Sequence, residues 1–376
     1  MKIGLVFDDS LDKTDGVAQY VLITGAWLTA QGHSVHYLVG ETKRTDITNL
    51  HSLSRNVKVR FNQNRMSMPL PASKKAIQQL LAREQFDILH IQMPYSPALA
   101  GRIIAAASDA IAVIGTFHIL PHSKWVHAAN WGLGRLQSRT LRRFDAIMST
   151  SPPARDFAQK AFSIDSVAVP LSIPLKRFFN AKPFAEYKQT RTIVFLGRLV
   201  ERKGCQHLLA AAARLKAAGA LADDVRIIIC GPGPLEPQLR TYVREHQLDD
   251  VVAFKGFISE ADKPRYLASA DIVVYPSTGG ESFGIVLLEA MAAARGAVLA
   301  GNNPGYASVM GEHTSSLFNP HDHAGLATRL EGLLSDPQKR LAASKWQHEY
   351  VGRFDVETVG PQIVDIYTRA LHKRRQ

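Results

Sequence analysis

The chain runs twice through one alternation of short apolar strands and helices, and this restricts its fold more than any other feature. In the first series Lys2–Phe7, Ser34–Leu38, Asn56–Phe61, Ile88–Ile91, Ala112–Thr116 and Ala146–Ser149 read as strands. Between them Ala18–Gln31, Lys74–Glu84 and Ala98–Ser108 read as helices. The second series places strands at Thr192–Leu196, Val225–Cys230, Val251–Phe254, Ile272–Tyr275 and Ala297–Ala300. Its helices are Gln206–Ala218, Pro237–His246, Asp262–Ala268, Gly284–Ala293, His323–Leu334 and Pro337–His348. Strands that alternate with helices predict an α/β chain with parallel sheets covered on both faces. Pro170, Pro174 and Pro183 mark a linker near Val169–Pro183. Two doubly wound units joined by one linker predict a cleft, with ligands outside the carboxyl ends of the strands.

The stretch Gly279-Gly280-Glu281-Ser282-Phe283-Gly284-Ile285-Val286-Leu287-Leu288-Glu289-Ala290-Met291-Ala292 carries the most chemistry. Two carboxylates bracket an apolar run that follows glycines. This predicts a loop entering a helix, with Glu281 at its mouth and Glu289 about two turns further along. Backbone N–H groups near Ser282, Phe283 and Gly284 would then point outward, as an anion-attracting helix start does. Such a site suits a ligand with phosphates at one end and hydroxyls at the other. A nucleotide sugar is of that kind.

The stretch resembles the Glu-x7-Glu signature of glycosyltransferase family 4, retaining enzymes of the GT-B fold. The likeness continues through Phe283-Gly284 and Glu289-Ala290-Met291-Ala292. It implies two Rossmann-like domains facing across a cleft: residues 1–178 on the acceptor side and 179–351 for the nucleotide sugar. It also implies that residues 352–376, which include the amphipathic stretch Val356–Leu371 with Val356, Val359, Ile363, Val364, Ile366 and Tyr367, return to the first domain. Glu281 would hold donor-sugar hydroxyls and Glu289 the ribose. Ser282, Phe283, Gly284 and Ile285 would line the donor.

A second constellation, Gly197-Arg198-Leu199-Val200-Glu201-Arg202-Lys203-Gly204, follows a strand and opens a helix. Arg198 and Lys203 can clamp a diphosphate, Arg as a fork and Lys as a point charge. This is similar to the family's Gly-Arg-x4-Lys-Gly element, which neutralises the leaving diphosphate without a divalent metal. Asp15-Gly16-Val17 resembles the family's Gly-Gly-Val loop, with Asp15 replacing a glycine, and Gly16 would approach phosphate or sugar. Gly115-Thr116-Phe117-His118 ends a strand and is similar to the Thr-Phe-His element of the family, implying that His118 lies beside the reacting centre. Gly231-Pro232-Gly233-Pro234 resembles the turn under the nucleotide, and it is no dinucleotide fingerprint. Phe254-Lys255-Gly256-Phe257 matches the base-contacting segment, with Phe257 against the donor. A backbone readout leaves guanosine and uridine both open, so GDP-mannose and a UDP-sugar are the expected donors. No cofactor is expected.

Net charge is +12, and 46% of the 376 residues are hydrophobic. No nucleic-acid motif accompanies the charge, so anionic lipid and a nucleotide substrate are the expected partners. Trp125, Trp131, Arg135, Arg139, Arg142 and Arg143 fall within Lys124–Arg143, with three of the arginines on one helical stripe. A cationic stripe beside tryptophans suits an anionic membrane surface. No run reaches the roughly 18 apolar residues that a membrane span needs. The chain opens directly on an apolar strand, so no signal peptide is expected. Cys205 and Cys230 suggest neither disulfide nor metal site. A cytoplasmic enzyme, peripheral on the inner face of the membrane, is expected.

The expected activity is transfer of a mannose- or glucose-type hexose to a lipid-linked or other hydroxyl acceptor. The nearest resemblance within the family is to phosphatidylinositol alpha-mannosyltransferases. Asp9 and Ala18 replace an aromatic residue and a glutamine that those enzymes use, so a neutral glycolipid or saccharide stands beside phosphatidylinositol. Ala293-Ala294-Arg295-Gly296 implies a one-residue insertion. A sugar-nucleotide 2-epimerase or a non-catalytic binding module would share the fold.

Overall fold

The computed structural model describes residues 1–376 apart from 13, 14, 62, 63, 71, 95, 119–137 and 312, and the backbone alone at 57–61, 64–69, 138 and 139. Two compact units result. The first comprises Met1–Ile173 with Val356–Gln376, and the second Pro174–Asp355.

The first unit holds a seven-stranded sheet, all of whose pairings are parallel. Its strands run Leu50–Ser52, Ser34–Val39, Lys2–Phe7, Ile88–Ile91, Ala112–Phe117, Ala146–Ser149 and Val167–Ala168 across the sheet. The central strands are buried on both faces, which is why they read as continuous apolar runs. The chain reverses its winding between Lys2–Phe7 and Ile88–Ile91, so their carboxyl ends flank a switch point.

Asn56–Phe61 does not join that sheet. It pairs antiparallel with Asn64–Pro69 as a separate hairpin. The helix Pro152–Phe162, which strand-helix alternation did not pick out, starts on a Ser151 side-chain cap with proline in its first turn.

The last helix, Val356–Arg375, packs on the helix Gly16–Ala30 within this unit. Trp27 Nε1 donates to Glu357 at 2.9 Å. Gly360 lies under the indole, where an added Cβ would meet the ring at 2.6 Å. Tyr367 is buried and its hydroxyl bonds His90 Nδ1 at 2.7 Å. Val364 and Ile366, expected in the apolar face, are only half-buried, while Ala370 and Leu371 extend the buried stripe.

The second unit repeats the scheme with six parallel strands: Val252–Gly256, Val225–Cys230, Arg191–Leu196, Ile272–Tyr275, Ala297–Gly301 and Leu317–Phe318. In chain order this is 3-2-1-4-5-6, the doubly wound arrangement. Its switch point lies between Arg191–Leu196 and Ile272–Tyr275. One core joins Ile193, Phe195, Leu208, Ile227, Ile229 and Leu330, all with little or no exposure. Each such side chain contributes roughly 1.5–3 kcal/mol by leaving water. The expected linker is itself folded: Leu175–Phe179 is a short helix with Leu175 and Phe178 buried. Arg295 is anchored rather than slack, with its guanidinium 2.7 Å from Asp271 Oδ2 and 2.9 Å from the Thr190 carbonyl.

Candidate active site

At the second unit's switch point two loops leave adjacent strands, one after Leu196 and one after Tyr275. Gly204 brings them together. Its φ is +76°, and an added Cβ would sit 1.9 Å from the Pro276 carbonyl oxygen. Only glycine fits there. Gly204→Ala is expected to destabilise the unit by about 1–3 kcal/mol or more, measured as a lower denaturation midpoint.

The contact delivers Lys203 to Glu281. Lys203 Nζ lies 2.8 Å from Glu281 Oε1. Arg202 Nη1 donates to the same oxygen at 2.8 Å, and Ser277 Oγ at 3.0 Å. Ser277 Oγ is also 3.0 Å from the Arg202 carbonyl, and Thr278 N–H donates to that carbonyl at 3.0 Å. Burial of Glu281 works against its charge, but Lys203 and then Arg202 more than offset this, and its pKa lies below the usual carboxylate value. Two cations around one carboxylate leave the group with a net positive charge beside an oxygen acceptor. Arg202 and Ser277 are the residues sequence reasoning missed here. Arg202 sits beside Lys203 in a tight turn, and spacing alone cannot tell which cation faces the carboxylate.

The other residues expected to line a donor differ in exposure. Arg198 is exposed in the same loop as Lys203. Gly231, at φ +127°, lies so close to that loop that an added Cβ would meet the Gly197 carbonyl oxygen at 2.1 Å. Phe257 is 69% exposed. The helix starts at Ile285 with Gly284 at φ +125°, while Phe283 and Ile285 are buried. The Phe283 ring packs on Phe354, so only its backbone is left for a ligand. Ser282 is half-buried.

Glu289 is deeply buried. Its Oε1 lies 2.5 Å from Lys263 Nζ, and Lys263 also reaches Glu260 at 3.0 Å. Burial raises the Glu289 pKa, and Lys263 opposes the rise without cancelling it. No pattern in the sequence marked Lys263, which opens a helix just before Pro264 and yet is buried.

In the first unit Asp15 caps the helix Gly16–Ala30. Its Oδ1 accepts from Val17 N–H at 3.1 Å and Ala18 N–H at 2.9 Å. The acid that stood out as a departure thus neutralises a helix start. Gly16 is the first helical residue and is exposed, whereas Ala18 is buried. His118 follows the strand Ala112–Phe117 and is buried, with Nε2 2.9 Å from Gln92 Oε1. Tyr20 stacks edge-on at 5.2 Å. Burial pushes the His118 pKa down to about 3, so the ring is neutral.

Much of the basic segment Lys124–Arg143 lies outside the described residues. Of the part that is described, Arg143 bonds the carbonyls of Ser108 and Ile111 at 2.7 and 2.9 Å and pairs with Asp145. Arg374 pairs with the same Asp145 at 2.6 Å. Both cations are committed to the fold, which corrects the expected place of Arg143 on a lipid-facing stripe; Arg142 is exposed. No described helix is long and apolar enough to cross a membrane.

Comparison with known proteins bears on the family and the fold. Residues 176–347 match the glycosyl transferases group 1 family, and residues 14–177 match Glycosyltransferase Family 4. A phosphatidyl-myo-inositol mannosyltransferase from Mycolicibacterium smegmatis is 32% identical over 98% of this chain and 93% of its own. Alpha-monoglucosyldiacylglycerol synthase from Streptococcus pneumoniae is 25% identical over 99% of this chain and 86% of its own. Anabaena HepE in complex with UDP-glucose superposes with a TM-score of 0.74 at 18% identity, covering 98% of this chain and 99% of that one. Two doubly wound sheets and full-length likeness of this kind lead to one conclusion: the chain belongs to glycosyltransferase family 4, with the GT-B fold.

Proposed function

We propose that this hexosyltransferase moves a mannose- or glucose-type sugar from a nucleoside diphosphate to a lipid-borne hydroxyl, with retention and without a metal. The observation that carries the reading is Glu281 shared by Lys203 and Arg202 at the second unit's switch point. Lys203, with Arg198 from the same loop, takes the diphosphate. The charge that develops on the leaving phosphate is met by fixed cations, which is the electrostatic share of catalysis. These cations supply the neutralisation that a divalent ion provides elsewhere.

Glu281 orients donor hydroxyls, and Glu289 accepts from the ribose while Lys263 favours its charged form against burial. The segment Ser282–Ile285 lies along the donor through its backbone, Gly231 keeps the adjoining turn close, and Phe257 packs on the base. Gly16 and His118 belong to the first unit. A neutral imidazole with a pKa near 3 accepts a hydrogen bond well but removes protons poorly at neutral pH. That weakens the epimerase alternative, which needs a base at the sugar ring.

The relatives' names favour a lipid acceptor. Asp9 stands at the carboxyl end of the first strand with its Oδ1 on Ser10 N–H, an anionic neighbour that favours an uncharged head group over phosphatidylinositol. The test is transfer from GDP-mannose, UDP-glucose and UDP-galactose to vesicles that contain phosphatidylinositol, diacylglycerol or monoglucosyldiacylglycerol. One donor should outpace the others, the product should keep the donor's anomeric configuration, and excess EDTA should leave the rate unchanged. Loss of transfer in EDTA that added Mg²⁺ restores would refute metal independence. An inverted product would refute retention, and epimerised donor without transfer would replace the reading.

A further inference from the structure

Three strands of the first sheet end side by side in polar residues that the fold buries. Gln92 follows Ile88–Ile91, His118 follows Ala112–Phe117, and Thr150 follows Ala146–Ser149. Gln92 and Thr150 are wholly buried, and His118 is 8% exposed. Gln92 N–H donates to the Val6 carbonyl at 3.0 Å, so Gln92 sits at the first unit's own switch point. Each of the three side chains keeps one polar atom without a partner among the described residues: Gln92 Nε2, His118 Nδ1 and Thr150 Oγ1. Buried polar atoms are nearly always satisfied, and an orphan calls for an explanation. Three together, at strand ends where doubly wound sheets bind ligands, mark a place that a ligand's hydroxyls complete.

The single bond between the two larger side chains sets the chemistry. Gln92 Oε1 faces His118 Nε2 at 2.9 Å. A carboxamide oxygen only accepts, so Nε2 carries the proton and Nδ1 carries the lone pair. Among the described residues, Tyr20 lies against the ring edge-on, and His90 is itself neutral, held by Thr116 at 2.6 Å and by Tyr367. We propose that Gln92 is a positioning residue that fixes His118 as the Nε2–H tautomer, so that its bare Nδ1 accepts a hydrogen bond from a substrate hydroxyl. The proposal rests on the transferase reading only for the source of that hydroxyl. The Gln92 amide and the Thr150 hydroxyl stand ready to donate to the same sugar.

The tautomer can be read without any substrate. Protein labelled with 15N-histidine is compared with His118→Asn to assign the His118 ring, and long-range 15N–1H spectra show which nitrogen is protonated. Wild type should show His118 protonated at Nε2 and bare at Nδ1. Gln92→Leu should give a mixture of tautomers, and Gln92→Glu, which keeps an acceptor in place, should restore the single form. With GDP-mannose or UDP-glucose, whichever supports turnover, Gln92→Leu should lower kcat by about tenfold with donor KM little changed, as loss of one oriented hydrogen bond predicts. A wild-type His118 protonated at Nδ1 would overturn the assignment outright. So would Gln92→Leu with one tautomer and wild-type kcat. Because the spectra need no donor, an inactive preparation counts against the transferase reading and leaves the tautomer result standing on its own.

Discussion

Lys203→Met should lower transfer by about 10²–10³-fold, the loss seen when one preorganised group facing developing charge is removed. The fold should survive it. Arg202 still holds Glu281 Oε1 at 2.8 Å, and Ser277 holds it at 3.0 Å, so the carboxylate keeps a charged partner. Thermal unfolding should therefore move little. Glu281→Gln separates the two roles of the cluster. It removes the carboxylate that neutralises both cations, so the free nucleoside diphosphate should bind more tightly while sugar transfer collapses. Lys203→Met should weaken that same product complex. Isothermal titration with GDP and UDP, beside initial rates, measures both. The opposed signs matter, because general damage to the loops would weaken diphosphate binding in both variants. Near-normal turnover in the two variants would remove Lys203 and Glu281 from the mechanism.

The legible and the illegible parts of this chain differ in kind. Both sheets could be read because a strand buried on two faces must be apolar throughout, as Ile88–Ile91 and Ile272–Tyr275 are. Partnership could not be read. Asn56–Phe61 has the composition of a sheet strand, yet it folds back on Asn64–Pro69, and nothing within its own residues separates the two outcomes. The candidate site was legible where chemistry is local. Arg198, Lys203, Glu281 and Glu289 lie in short segments whose spacing survives folding. What stayed hidden is set by distant neighbours. Arg143 read as surface charge until Asp145, which also gathers Arg374, drew it into the fold. Asp15 read only as a departure from glycine until it capped its own helix. Gln92 offered a signal in its place just beyond a strand at a switch point, but its use depends on His118 one strand away.

Lys263→Met is expected to have the largest effect on stability. Glu289 and Lys263 are 4% and 8% exposed at the side chain and meet at 2.5 Å. Removing one partner strands the other, and breaking a buried pair in this way costs about 3–5 kcal/mol. The pH dependence identifies the cause. Burial already places the Glu289 pKa above its ordinary value, with Lys263 pulling against the rise. A carboxyl with a raised folded pKa binds more protons in the native state than in the unfolded one. Its favourable contribution is complete below the unfolded pKa and is lost as pH rises through the folded pKa. Methionine at position 263 removes the opposing pull, so the folded pKa climbs further and the loss grows toward neutral and alkaline pH. The variant's deficit in melting temperature, scanned identically, should be larger at pH 8 than at pH 5. Glu289→Gln in the Lys263→Met background should recover much of it at pH 8, since a neutral amide needs no countercharge. Equal deficits at both pH values, with no recovery in the double variant, would show that Lys263 serves by packing rather than by holding a buried anion.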